Sequence, residues 1–277
     1  MEIPANLVKS LRDKTGLPMM ECKKALTQAG GDLDKAIDWL RTNVKGVAVA
    51  RGGRETAEGR IGAYVAPDMK SAGIIEMRCE SPSVVKADAF VQLTNDLARQ
   101  IAAKAPASVE ALLAEPLLGQ SGKTVNDRIH DVIGLIRENM KPVRFKRLTG
   151  GSIGSYVYHT GTIGVLVQVE GAKADPDLLK DICVHIVSKN PLAAHREDVP
   201  PDVVAKEKEI ATAQAVATGK PAQIAEKIAE GKLKTFFADN VLVEQPFVKD
   251  DSKTVGELLK SAGLKLVRFV RYRVGEL

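Results

Sequence analysis

The chain has 277 residues, 44% hydrophobic and 27% charged, which excludes a disordered or fibrous chain and suits about two domains of ~100–200 residues. Its net charge of +5 fits an acidic protein partner or RNA and singles out neither, while three scattered cysteines, Cys22, Cys79 and Cys183, argue against a disulfide framework or a zinc site. No apolar run reaches the ~18 residues of a membrane span, and the opening MEIPANLVKSLRDK has no apolar signal core, so a cytoplasmic protein that meets no membrane and no DNA is expected.

Residues 4–44 read as three short helices. The first buries Leu7, Val8 and Leu11. The second opens at Pro18 and spaces Met19, Cys22, Leu26 and Ala29 on one face. Gly30-Gly31 stop it, and Asp32 is placed to cap a third helix carrying Leu33, Ala36, Ile37 and Leu40, with Trp39 beside them. GVAVARGGRETAEG (46–59) has no amphipathic period and reads as a linker.

GRIGAYV (59–65) and GIIEMRC (73–79) read as paired strands joined around Pro67-Asp68. CESPSV (79–84) follows. Ser81 suits an N-cap and Pro82 the first helical position, so a helix is expected from about 82 to 104 with Phe90, Leu93, Leu97 and Ile101 on its core face. A tip at such a strand–helix junction also suits contact with a partner. A second helix covers about 123–139, and VRFKRL (143–148) looks like a strand.

The pattern then repeats. GRIGAYV returns as GSIGSYV (151–157), with Gly62 and Tyr64 matching Gly154 and Tyr156 at an offset of 92. AGIIEMR (72–78) returns as IGVLVQV (163–169) at an offset of 91, and DPDLLKDICVHIVSK (175–189) supplies the following helix. This is a duplicated α+β unit, not a solenoid. Residues 200–237 read as two helical stretches broken at Gly219-Lys220-Pro221, with a thin stripe of Val203, Ile210, Val216, Ile224 and Ile228 that suits a helical hairpin. SKTVGELLKSAG (252–263) is a helix, and LKLVRFVRYRV (264–274) is an imperfectly alternating strand that suits an edge or a bulge.

No stretch reads as an active site. GQSGKT (119–124) has Leu117 where a phosphate loop needs glycine and no strand in front; a helix N-cap at Ser121 explains it better. GGSIGSY (150–156) lacks the dinucleotide spacing. His130 and His185 fall on predicted helices, where a satisfied histidine at a core edge is the usual outcome. The basic runs RFKRL and VRFVRYRV interleave arginine with aromatics, which is either an RNA stripe or a strand with one wet face. Met19 and Met20, adjacent at a helix start, cannot both face one core, so one is expected outside, where methionine suits adaptable protein contacts.

Three stretches together resemble one family, the bacterial and organellar translation elongation factor Ts. LRDKTGLPMMECKKALTQAGGDLDKAIDWLR (11–41) is similar to its N-terminal ubiquitin-associated-like bundle. SYVYHTGTIGVLVQVEG (155–171) resembles its second core hairpin. GKPAQIAEKIAEGKLKTFF (219–237) with EQPFVKDDSKTVGELL (244–259) resembles its helical hairpin and C-terminal segment.

The resemblance implies an α+β fold: a bundle (1–45), a linker (46–58), a core N-subdomain (59–141), a core C-subdomain (142–199 and 238–277) and an inserted coiled-coil-like hairpin (200–237). It implies no bond-making enzyme and no cofactor. It implies a guanine-nucleotide exchange factor whose partner is the GTPase elongation factor Tu, with room for a dimer of heterodimers. A ribosome- or RNA-binding factor without exchange activity is the alternative, supported by the basic strands alone. The contacts it implies are Arg12, Met19, Met20 and Lys23 on the bundle, the junction Ser81-Pro82-Ser83-Val84, His159 on the second hairpin, and Phe247-Val248 in the Gln245–Val248 loop. The family usually carries Thr-Asp-Phe-Val at the junction; here Pro82 replaces Asp and Ser83 replaces Phe. Members often continue in further helix after Val-Gly-Glu, whereas this sequence stops at Leu277, so contacts from that module are not expected.

Overall fold

The structure is a computed structural model that describes residues 3–217, 219 and 222–276. The break expected at Gly219-Lys220-Pro221 therefore falls partly outside the described residues, as does Leu277.

Three helices open the chain: α1 (Ala5–Thr15), α2 (Met19–Gln28) and α3 (Leu33–Arg51). They enclose Val8, Leu11, Cys22, Ala25, Leu26, Ala36 and Leu40. Gly16 ends α1 at φ +69, the left-handed conformation that costs glycine least. Asp32 Oδ1 accepts the N–H groups of Asp34 and Lys35 at 3.0 Å, the cap expected there. α3 overruns the expected linker, because residues 46–51 stay helical. Extending a formed helix costs far less than nucleating one, and GVAVAR, with two alanines and one glycine, does not interrupt it. α3 packs on α6 (Val125–Ile136), and Arg137 bridges to Glu21 at 2.8 Å, so the bundle rests against the core.

The first core sheet is antiparallel, in the order β1 (Glu58–Val65), β2 (Ser71–Cys79), β3 (Met140–Thr149). α4 (Asp88–Lys104), α5 (Val109–Ala114) and α6 cover it, around Ile75, Met77, Phe90, Leu93, Leu97, Ile129 and Ile133. Two helix starts differ from expectation. Ser81 does not cap α4; the chain makes a turn and a short 3-10 stretch (Val84–Lys86) before α4 begins at Asp88. Thr124, not Ser121, caps α6, in a reciprocal box with Asp127: each residue's side chain accepts the other's N–H, at 3.1 and 3.0 Å.

The second sheet repeats the first: β4 (Ser152–Val157), β5 (Ile163–Gly171) and, at the edge, β8 (Leu264–Arg273), with a register shift at Gln168/Val169. α7 (Pro176–Lys189) covers it. The repeated glycine has a packing cause. A Cβ on Gly62 would lie 2.6 Å from Thr94 of α4, and one on Gly154 would lie 2.4 Å from Leu179 of α7. Each hairpin is seated against its helix at a position only glycine permits. The sheets join through Ile61, Ile74, Leu148, Ile153 and Leu166.

Between α7 and β8 come α8 (Pro201–Val216), α9 (Ala222–Asn240), a short ribbon of β6 (Pro246–Phe247) and β7 (Asp250–Thr254), and α10 (Val255–Ser261). α8 and α9 pack as a hairpin, but not through the expected stripe. Ala211, Ala215, Ala225 and Ala229 form the inner seam with Ile228 beside it, while Ile210, Val216 and Ile224 are exposed. Small residues let the helices approach closely.

Candidate partner-binding surface

The bundle tip is set by a tight turn. Thr15 Oγ1 donates to Leu11 O at 2.7 Å, and Cys22 is buried with its thiol toward Leu17 O. With Cys22, Ala25 and Leu26 inward, the opposite face of α2 carries the rest. Met20 is 74% exposed and Met19 49% exposed. Both methionines therefore point outward, and Met19 does not join the core as its spacing suggested. Lys23, one turn on, shares their face, and Arg12 is exposed on α1.

The Ser81 junction is a polar knot. Ser81 donates twice to one carboxylate: its N–H to Glu138 Oε2 at 3.0 Å and its hydroxyl to Glu138 Oε1. Asn139 N–H donates in turn to Glu80 Oε1, and Asn139 Nδ2 donates to Arg54 O at 2.8 Å. The hydroxyl expected to cap a helix is thus taken by Glu138, in the segment between α6 and β3. Pro82 and Ser83 are exposed, whereas Val84 is buried in the core and offers no surface. Cys79 donates to Ser81 O at 3.5 Å; burial, with Glu138 and Glu58 nearby, pushes its thiol up to about 12. It packs as a thiol and is no nucleophile.

His159 sits exposed on the β4–β5 turn, its ring 4.2 Å from that of Tyr158. The turn is braced: Gly161, at φ +79, donates to Tyr158 O at 2.7 Å, and Ile61 N–H donates to Gly161 O at 2.8 Å. Ile61 lies on β1 three residues from Glu58, which pairs with Cys79. Along a strand that is roughly 10 Å. The His159 turn thereby docks on the middle of β1, and the Ser81 junction leaves the sheet at the Glu58–Cys79 end.

The Gln245–Val248 loop departs from expectation. Phe247 is only 6% exposed and stacks on His185, centroids 5.9 Å apart. It is a core residue, and the surface of this loop is Val248, 42% exposed, with Pro246. The anchors Glu138 and His185 were missed because their partners lie 57 and 60 residues away, beyond any local spacing. Several arginines of the basic strands are internally partnered, while Lys146 and Arg268 are exposed. Arg144 Nε reaches the buried Glu76 at 2.7 Å and its guanidinium lies 4.3 Å over Tyr272, Arg147 donates to Ala102 O, and Arg271 pairs with Glu276. No helix among the described residues is long and apolar enough to cross a membrane.

The family model described as Elongation factor TS matches residues 80–276. The chain is 47% identical over its whole length to an Elongation factor Ts of Methylococcus capsulatus, covering 93% of that protein. It is 42% identical to one of Thioalkalivibrio sulfidiphilus, again over its whole length and 93% of the relative, and 43% identical to one of Azoarcus sp., over 99% of this chain and 91% of that one. An α+β chain with this duplicated core, matched end to end by such relatives, belongs to the elongation factor Ts family of translation elongation factors.

Proposed function

We propose that the chain is the guanine-nucleotide exchange factor for elongation factor Tu, acting in the cytoplasm. It binds the GDP-bound GTPase, perturbs the Mg²⁺ and phosphate site, and lets GDP leave and GTP enter. Such a factor works by differential binding. It must hold the nucleotide-free GTPase more tightly than the loaded one, and the coupling is reciprocal, so nucleotide and factor weaken each other equally. Much of a GTPase's grip on GDP comes from its phosphate loop and Mg²⁺, so a displacement of about an ångström suffices as a lever. No catalytic residue is required of the factor.

The observation that carries this reading is the outward pair Met19 and Met20. Two large apolar side chains kept in water at a helix start serve no core, and methionine adapts to a protein groove. Lys23 adds charge on their face, and Arg12 adds charge on the surface of α1. The braced tips Pro82-Ser83 and His159 reach the nucleotide side, and Val248, rather than Phe247, supplies the C-terminal contact. Without the family's Asp-Phe pair, the junction binds but wedges less, so His159 supplies more of the displacement, while Val248 adds to binding. Against an RNA stripe, Arg144, Arg147 and Arg271 hold partners within the chain, which leaves Lys146 and Arg268 among the exposed cations of the two basic runs. The test is release of labelled GDP from elongation factor Tu by the wild-type chain and by Met19→Ser with Met20→Ser: stimulation that the double variant matches only at about tenfold higher concentration supports the proposal.

A further inference from the structure

Val248 and Lys249 form the two-residue turn between β6 and β7. Neither has positive φ, so this is not one of the mirror-image turns whose twist suits a hairpin. The turn is held from outside, by α7. His185 Nδ1 accepts the Val248 N–H at 3.2 Å, and one helical turn earlier Asp181 Oδ1 meets Lys249 Nζ at 2.6 Å.

The rest of the imidazole is also fixed. Because Nδ1 accepts, Nε2 carries the proton and donates to Gln245 Oε1 at 2.9 Å. Gln245 Nε2 in turn donates to Asp239 O at 2.6 Å. His185 is fully buried, and that burial holds it neutral by pushing its pKa below the ordinary value. The Lys249–Asp181 pair is half-exposed and weak by comparison.

We infer that His185 is a positioning residue for partner binding: by accepting the Val248 N–H it keeps Phe247 in the core and presents Val248 to the GTPase. The inference rests on the exchange-factor reading for its partner and on the hydrogen-bond geometry for the rest.

Two substitutions separate the two ring nitrogens. An asparagine amide falls near Nδ1 and can still accept from Val248; a glutamine amide falls near Nε2 and cannot. In the full chain, His185→Asn should keep amide-exchange protection at Val248 within about threefold of wild type, and His185→Gln should lose it by about tenfold or more. In GDP-release titrations, His185→Gln should raise the half-saturating concentration several-fold with an unchanged plateau, and His185→Asn should stay near wild type. Val248→Ala, a surface change that spares the fold, should raise half-saturation as His185→Gln does. Equal Val248 protection in the two His185 variants, or a wild-type half-saturation in Val248→Ala, would overturn the inference. If the wild-type chain releases no GDP, the exchange-factor reading fails, and the amide protection alone decides whether His185 positions the turn.

Discussion

Ser81 and Glu138 are joined twice, backbone N–H to Oε2 at 3.0 Å and hydroxyl to Oε1, so that one carboxylate in the segment just before β3 holds the turn leaving β2. Removing the carboxylate leaves the Ser81 N–H without its acceptor, whereas removing the hydroxyl leaves the other bond standing. Glu138→Ala should therefore cost about 1–3 kcal/mol and Ser81→Ala about 0.5–1.5 kcal/mol in urea unfolding. The double variant should cost less than the two added together, which a double-mutant cycle measures.

The two glycines that the duplication preserves should be intolerant of a methyl group. Gly62→Ala drives a Cβ to 2.6 Å from Thr94, and Gly154→Ala to 2.4 Å from Leu179 Cβ. Each should lower stability by about 1–3 kcal/mol or more, read as a drop in melting temperature. Gly231→Ala, in the middle of α9 where an added Cβ meets nothing, should be neutral or stabilising.

Burial, opposed by the Gln245 hydrogen bond and aided by Lys189, depresses the pKa of His185 below its ordinary value near 6.5. The unfolded chain then takes up a proton at a pH where the native chain does not. Stability is full above about pH 6.5 and falls as the pH drops below it, toward the lowered native value. His185→Asn should flatten that part of the pH–stability profile. An unchanged slope below pH 6.5 would mean that His185 is not held neutral.

The architecture was largely legible: hydrophobic periods, the Gly30-Gly31 stop, the Asp32 cap and the repeated hairpins are local signals, and the α+β fold follows from them. What escaped depends on groups far apart in the chain. Ser81 looked like a cap because Ser-Pro at a strand end reads as a helix start, and only Glu138, 57 residues on, redirects its hydroxyl. Phe247 was implied as a contact by the family resemblance alone, and only His185 shows where its ring stacks. The hairpin seam was misread because alanines carry little hydrophobic contrast, while the larger Ile210, Val216 and Ile224 drew the stripe and stand outside it. Met19 followed the α2 period, yet at the first residue of the helix it has no preceding turn to cover it.

Buried and exposed halves of the Gln245–Val248 loop should separate in assay. Phe247→Ala should lower stability by about 3–5 kcal/mol if its cavity does not collapse, seen as a lower urea midpoint. Val248→Ser should leave the midpoint within about 0.5 kcal/mol and weaken only complex formation, seen by calorimetric titration with elongation factor Tu.

The exchange-factor reading stands or falls on GDP release. Labelled GDP bound to elongation factor Tu is chased with excess unlabelled nucleotide, with and without substoichiometric amounts of this chain. The wild type should turn over and speed release many-fold. Met19→Ser with Met20→Ser should melt as the wild type does but need about tenfold more protein for the same rate. His159→Ala should lower the rate more than Ser83→Ala does. No acceleration by the folded wild-type chain at any concentration would contradict the account, and a large loss from Ser83→Ala with none from His159→Ala would contradict its assignment of the displacing contacts.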